Sequence, residues 1–461
     1  IADDYTFENL ERVSQATADW LHDDYGESPN VVIGHDARFL GPQFAERAAQ
    51  ILTEAGVHVT FADTMVSTPA ISWATQALDC DAGIVITASH NPPEYNGFKI
   101  KAPFGGPATP DQISAVEDRL DQYDASLSIK DYEEYLNNSS VEELDITGSY
   151  LDVIRERIDL DAIRKSNSKI AHDPMYGAGQ GLIKDLLGED IEVIELRSEV
   201  NPGFHGAAPE PIEKNLQGLS RAIVENNCTI GIANDGDADR IGMFDEKGQF
   251  VDSHQMLSLL AKFLKEVRGE SGMIVKTFSA TNMLNKIAEK YGFPIEVLPI
   301  GFKHVAEKFI SEDVLVGGEE SGGLGVKGHI PERDGIFIGL LITEMTVKSG
   351  KNLSQLVQEL YEEYGMHATY RNDMHTSDEK KHAMMKFCKA KKMTELAGKK
   401  VADWSFIDGV KHIMEDGSWL LVRPSGTEPL LRIYSEAGSK EEAVQLVEEA
   451  SKMVDSPKIM E

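Results

Sequence analysis

The sequence predicts an α/β protein of several domains. Its 461 residues call for three or four units at roughly 100–200 residues each. Short β-rich apolar runs alternate with amphipathic helical patterns almost throughout, the signature of helices layered on mixed or parallel sheets. The last hundred residues break that rhythm, which predicts a smaller α+β unit at the C-terminal end.

Taken in order, Val31-Val32-Ile33, Ile84-Val85-Ile86, residues 230–233, Met273-Ile274-Val275, Val314-Leu315-Val316 and residues 419–422 read as buried strands. Thr109-Pro110-Asp111-Gln112 is a capping box with proline at the first helical position, and it leads into Ile113, Val116 and Leu120. Ser439 and Glu442 predict a second box ahead of Val444, Leu446, Val447 and Met453. A polar, Lys- and Met-rich segment at 372–400 precedes two strands around Arg423 and a closing helix. These shifts divide the chain into 1–145, 146–250, 251–365 and 366–461.

Composition narrows the function. A net charge of −32 opposes nucleic acid or an anionic membrane as the main partner. An anionic substrate would need a local basic pocket, which screening permits beyond a Debye length of roughly 8 Å. No stretch approaches the roughly 20 apolar residues of a membrane span, and no signal peptide opens the chain. The first residue is Ile1, so a preceding segment is expected. Cys80, Cys228 and Cys388 are an odd, scattered set without metal-ligand spacing, which argues for a reducing compartment and a cytoplasmic protein.

Four loops could carry chemistry. In residues 87–99, Pro92 and Pro93 forbid helix and hold Ser89 on a stiff loop after a strand. A serine nucleophile needs a base or metal, and His90 and Lys99 share its loop. In residues 231–244, Asp235, Asp237 and Asp239 alternate, so an extended loop would point three carboxylates one way. They repel unless a hard cation such as Mg²⁺ or Ca²⁺ sits between them. An EF-hand is rejected, because Arg240 stands where the turn needs glycine and the flanks read as strands. Arg240 suits a phosphate clamp instead. In residues 316–335, glycines bracket Glu319, Glu320 and Ser321, groups suited to sugar hydroxyls. In residues 423–432, Arg423, Ser425, Gly426 and Thr427 would form an anion nest, with Arg432 on the next strand. Each loop alone also reads as an ordinary turn.

Together, and in order, these loops resemble those of the α-D-phosphohexomutase superfamily. Thr87-Ala88-Ser89-His90-Asn91-Pro92 is similar to its phosphoserine loop and Asp235-Gly236-Asp237-Ala238-Asp239-Arg240 to its metal loop. Gly318-Glu319-Glu320-Ser321-Gly322 resembles its sugar-specificity loop, and Arg423-Pro424-Ser425-Gly426-Thr427-Glu428-Pro429 its phosphate loop. Gly34-His35-Asp36-Ala37-Arg38 and Gly177-Ala178-Gly179 match minor signatures. The resemblance implies four domains around a central cleft, three of them related α/β units and the fourth a smaller α+β domain.

It also implies transfer of a phosphoryl group between the 1- and 6-positions of a hexose, through phosphoserine at Ser89 and a hexose 1,6-bisphosphate that also serves as activator. Mg²⁺ would be held by Asp235, Asp237 and Asp239 with an oxygen on Ser89. Arg240 would assist, and His90, Lys99, Lys276 and Lys303 are candidate bases, the lysines with depressed pKa values. Glu319 and Ser321 would hold the sugar, while Arg423, Ser425, Gly426, Thr427 and Arg432 grip the non-reacting phosphate. Glucose phosphate is the expected substrate, with mannose or glucosamine phosphate as alternatives. Gly323 stands where the bacterial phosphomannomutase/phosphoglucomutase subgroup tends to have His, and His329-Ile330 with Asp334-Gly335 look more like the phosphoglucomutase subgroup. The family's opening arginine segment would precede residue 1. Expected partners are small hexose phosphates, with no nucleic acid or membrane, in a monomer or small homo-oligomer. Rival readings are a haloacid-dehalogenase-type phosphatase, which would want a hydroxyl residue where Asp239 stands, and a non-catalytic sugar-phosphate- or Ca²⁺-binding protein.

Overall fold

The computed structural model describes residues 3–123, 129–425, 430–456 and 459. Strand Asn30–His35 lies parallel between His58–Ala62 and Ala82–Ile86, and Phe98–Ala102 turns back antiparallel on Ala82–Ile86. The same plan recurs twice. Lys169–Asp173 lies between Glu192–Glu195 and Ile230–Asn234, with Ile241–Phe244 returning on the latter. Met273–Thr277 lies between Ile295–Leu298 and Val314–Gly318, with Leu324–Val326 returning. Each of the first three candidate loops therefore caps a hairpin on the same strand of a repeated sheet.

Burial on both faces explains why the parallel strands read as continuous apolar runs. In the first sheet, Val31 and Ile33 pack with Trp20 and Phe44 on one side, while Val32 and Val85 pack with Ile71 and Tyr150 on the other. The six strands read from the sequence all form, within Asn30–His35, Ala82–Ile86, Ile230–Asn234, Met273–Thr277, Val314–Gly318 and Trp419–Pro424.

The C-terminal unit is an antiparallel sheet, ordered Ala368–His375, Leu430–Ala437, Trp419–Pro424, Val410–Met414, Lys399–Ser405 and Glu395–Leu396. Helices Asp378–Lys389 and Lys440–Val454 cover one face. On the other, Trp419, Leu421 and Tyr434 pack with Phe278 of the third unit.

Helix capping follows the sequence at Thr109, where both halves of the box form with Gln112. At Ser439 only the forward half is made: its hydroxyl accepts from the Glu442 N–H, while the Glu442 carboxylate pairs with Lys399 at 3.0 Å. The three cysteines are free and buried. Among the described residues, no helix is long and apolar enough to cross a membrane.

Candidate active site

The first two loops meet. Ser89 Oγ lies 2.7 Å from Asp235 Oδ2, although the two residues are 146 positions apart. Ser89 adopts a left-handed backbone with φ 54°, a conformation that costs a non-glycine residue about 1–2 kcal/mol. It is over-determined by its neighbours. The Ser89 N–H donates to the Thr87 hydroxyl at 2.9 Å, and that hydroxyl donates to Asp36. The buried Arg38 guanidinium donates to the carbonyls of Ser89, Asn91, Pro92 and Tyr95 at 2.6–3.0 Å. The proline-stiffened loop is thus clasped from beneath by a cation, which also ion-pairs with Asp36 at 3.3 Å. The clasp holds this strained backbone in place.

The carboxylates of Asp235, Asp237 and Asp239 converge, but on a turn rather than the extended loop expected: the Ala238 N–H donates to Asp235 O at 3.1 Å and Ala238 has φ 58°. One ligand oxygen from each of Asp235, Asp237 and Asp239 lies within 4.8 Å of the others, and all three residues are fully buried. Thr68 fixes the loop by donating its hydroxyl to Asp237 Oδ2 at 2.6 Å and its N–H to the Asp237 carbonyl. Lys99 Nζ sits 2.6 Å from Asp237 Oδ2 and 3.4 Å from Asp239 Oδ2, and Arg333 Nη2 sits 2.5 Å from Asp239 Oδ2. The remaining oxygens, Asp237 Oδ1 and Asp239 Oδ1, are buried without a hydrogen-bond partner among the described residues. Buried acceptors of this kind are rare unless a ligand meets them. Hard carboxylate oxygens, two of them without a partner among the described residues, fit a divalent cation.

Burial and the adjacent Asp237 and Asp239 push the Asp235 carboxyl well above the usual carboxylate range, with Arg240 opposing. Asp237 is lowered: burial works against it, but the Lys99 ion pair and the Thr68 bond outweigh that cost. For Lys99 the expectation of a depressed pKa is corrected here. Burial would depress Lys99, but Asp237 and Asp239 hold it charged, above its ordinary value. His90 is neutral, pushed down to about 3 by burial and Arg240, with Nδ1 3.5 Å from Ser89 Oγ.

Ser89, His90, Lys99, Arg240 and Arg333 line one open cavity of about 350 Å³. Lys276 and Lys303 do not. Lys276 is buried, pushed down to about 8, and donates to Thr281 O, Asn282 Oδ1 and Asn285 Oδ1. Those three acceptors use all its donors, which makes it a structural cation. Lys303 is exposed in the first turn of helix Phe302–Ser311.

The sugar-loop candidates divide. Glu319 is buried, 3.4 Å from Arg333 Nη1, and so faces the metal loop. Glu320 and Ser321 line a second cavity of about 430 Å³ with Arg371, Trp419 and Tyr434 of the C-terminal unit. In the phosphate loop, Arg423 and Arg432 are register partners on adjacent strands. Arg423 Nε donates to Asp408 at 2.9 Å, and Arg432 Nε lies 3.9 Å from Asp373. The Ser425 N–H donates to Leu430 O, closing the turn at its base. Gly426 and Thr427 lie outside the described residues.

Two groups escaped sequence reasoning. Arg38 was visible only as part of a minor signature, and Arg333 only as a residue of the third loop. Neither has a local signal, since both act on partners brought near by the fold.

Comparison with known proteins agrees with this architecture. Family models described as "Phosphoglucomutase/phosphomannomutase" match in series: alpha/beta/alpha domain I over residues 1–126, domain II over 148–248, domain III over 252–364 and the C-terminal domain over 378–453. A "Phosphoglucomutase/phosphomannomutase" from Thermococcus kodakarensis is 33% identical over 93% of this chain and 90% of its own. A "Probable phosphoglucosamine mutase" from Methanosarcina acetivorans is 34% identical over 92% and 91%. The crystal structure of a "putative phosphomannomutase" from Thermus thermophilus superposes with a TM-score of 0.87 at 34% identity, covering 99% of this chain and 96% of that one. The serine–aspartate cavity thus lies within a fold shared along the whole chain, and the chain belongs to the phosphoglucomutase/phosphomannomutase family of phosphohexomutases, isomerases that move a phosphoryl group within a hexose phosphate.

Proposed function

We propose that the chain interconverts glucose 1-phosphate and glucose 6-phosphate, with Ser89 as the phosphoryl carrier and glucose 1,6-bisphosphate as intermediate. The observation that carries this reading is the 2.7 Å approach of Ser89 Oγ to Asp235 in the three-carboxylate cluster. Asp235, Asp237 and Asp239, with an oxygen of the phosphorylated serine, would hold Mg²⁺. When bound, the ion supplies charge neutralisation for the transferring group. In the first half-reaction the P–O bond to Ser89 breaks as a P–O bond to a sugar hydroxyl forms. The hydroxyl proton passes to a base.

His90 borders Ser89 and is the candidate base left in this cavity, although burial and Arg240 hold its affinity for a proton low. Lys99 is held charged and serves as an electrostatic clamp. Arg240 lines the same cavity, and its buried Nε has no partner among the described residues, so it is placed to meet a phosphoryl oxygen. The bisphosphate must then reverse its ends for the second half-reaction. Glu319 and Ser321 would hold the sugar in both orientations, with Arg423, Ser425, Gly426, Thr427 and Arg432 on the idle phosphate. Residues 1–145, 146–250, 251–365 and 366–461 then form domains carrying the phosphoserine, metal, sugar and phosphate loops. A cytoplasmic monomer or small homo-oligomer acting on small hexose phosphates belongs to the same reading.

Ser89→Ala tests it in a coupled glucose 6-phosphate assay. Loss of nearly all turnover is expected; unchanged turnover refutes the carrier role. Relatives named as phosphoglucosamine mutases favour a second reading, glucosamine phosphate. Parallel kcat/KM values for glucose, mannose and glucosamine 1-phosphates, with Mg²⁺ and the bisphosphate activator, decide between them.

A further inference from the structure

Gly323 is a glycine for reasons of space. A Cβ there would lie 2.4 Å from Arg333 Cδ, 3.0 Å from Arg333 Cγ and 2.9 Å from Glu319 Oε1. The volume that any other residue would fill is taken by the Arg333 side chain.

That side chain spans two loops. Its Nη2 lies 2.5 Å from Asp239 Oδ2 and its Nη1 3.4 Å from Glu319 Oε1. Its guanidinium stands over the Phe302 ring, 5.7 Å from the centroid. The backbone that delivers it is pinned. Asp334 caps helix Gly335–Ser349, accepting from the Phe337 N–H, and takes further bonds from Tyr150 and His329. The Gly335 N–H donates to Ala238 O at 3.1 Å, and a Cβ on Gly335 would stand 2.3 Å from Arg240 O. Arg333 is thus fixed at its root against the metal loop and at its tip between a metal-loop and a sugar-loop carboxylate.

We propose that Arg333 is a positioning residue that ties Glu319 to Asp239, and that Gly323 exists to admit it, so that discrimination among hexose phosphates depends on the pair. This rests on the reading of Glu319 as a sugar ligand. A carboxylate with one oxygen held by a guanidinium presents its other oxygen in a fixed direction. A planar fork can satisfy two carboxylates at once, whereas an ammonium is a single point charge. Released from Arg333, Glu319 would rotate and accept sugar hydroxyls less selectively.

The test uses the full chain as Arg333→Met, Arg333→Lys, Arg333→Ala, Gly323→Ala and the double variant Gly323→Ala/Arg333→Ala. Three quantities are read: kcat and KM for glucose and mannose 1-phosphates, the calorimetric Kd of glucose 1-phosphate in metal-free buffer, and Ser89 phosphorylation by glucose 1,6-bisphosphate from intact mass. Arg333→Met is expected to weaken Kd about tenfold and to narrow the glucose-to-mannose ratio of kcat/KM by a factor of about three or more. Gly323→Ala should shift both in the same direction by displacing the arginine. The double variant should be no worse than Arg333→Ala alone, because the Cγ and Cδ atoms that the new methyl would meet are gone. Arg333→Lys should recover thermal stability and part of Kd but not the ratio.

Unchanged Kd and ratio in Arg333→Met overturn the proposal, as does a double variant whose effect is the product of the singles. Should Arg333→Met fail to fold, Gly323→Ala, which retains the arginine, carries the same readouts. Absence of phosphoserine in the wild-type chain after bisphosphate treatment would refute the phosphoryl-carrier reading. Phosphoserine with intact discrimination in the variants refutes only the role of Arg333.

Discussion

Gly236→Ala isolates the approach of the Ser89 loop to the three-aspartate loop. Gly236 has no left-handed φ, so alanine can adopt its backbone, and the effect is one of space alone. A Cβ there would stand 2.5 Å from the Ser89 carbonyl oxygen, about 0.9 Å inside the 3.4 Å lower limit of ordinary contact. The obstacle is backbone, and Arg38 holds that same oxygen at 2.7 Å from the other side. The loop therefore cannot yield by rotating a side chain; it must back away from Asp235. A displacement of this size at a reacting centre costs on the order of 10²-fold in rate, or about 2.7 kcal/mol of transition-state stabilisation. The assay is steady-state conversion of glucose 1-phosphate to glucose 6-phosphate, coupled to a dehydrogenase, with thermal unfolding alongside. A kcat within threefold of wild type, in a protein that unfolds at the wild-type temperature, would show that the 2.7 Å serine–aspartate approach is not what sets the rate.

Other perturbations follow from the same geometry. Arg38→Lys cannot reach four carbonyls from one ammonium, so orphaned acceptors should cost about 1–3 kcal/mol, read as a lowered unfolding midpoint together with lowered kcat. Because Asp235 carries a raised pKa, cation binding should expel its proton; affinity for Mn²⁺ should therefore rise with pH, seen as proton release in calorimetry across buffers of different ionisation enthalpy. Lys411, buried between Phe278 and Trp419, is pushed down to about 7 by burial and Lys276. Its folded pKa lies below its unfolded value of about 10.4, so the unfolded chain binds more protons between the two and stability should rise with pH across that window. Lys411→Met should remove that slope, measured as the change in urea midpoint from about pH 7 to about pH 9 against wild type.

Signals confined to a few neighbouring residues were legible. Prolines at 92 and 93 and the Thr109 box state their geometry locally, and the aspartate spacing signals a carboxylate cluster, which the structure builds on a turn instead of an extended loop. The chemistry of the cavity was less legible, because charge states depend on partners distant in sequence. Lys99 looked like a base until Asp237, 138 residues away, was seen to hold its proton. Lys276 had the low pKa sought, but its donors are spent on residues 281, 282 and 285. Ser439 signalled a reciprocal cap that Lys399 pre-empts by taking the Glu442 carboxylate.

The repeated hairpin explains how an acidic chain can build an anion site at all. In each of the first three sheets the loop leaves the end of a buried strand and returns antiparallel, so its tip projects beyond the strand ends of its sheet. Two such tips meeting at Ser89 and Asp235 need cations between them, and the fold draws these from separate elements: Lys99 on the return strand, Arg240 at the metal loop and Arg333 ahead of a helix of the third unit. Within this buried cluster, contacts of 2.5–3.4 Å from Lys99 and Arg333 neutralise Asp237 and Asp239 locally, while most of the net charge of −32 lies elsewhere on the chain and is screened beyond about 8 Å. Local pairing, more than overall charge, therefore sets the field at this cavity, and the hairpin register is what makes that pairing reproducible.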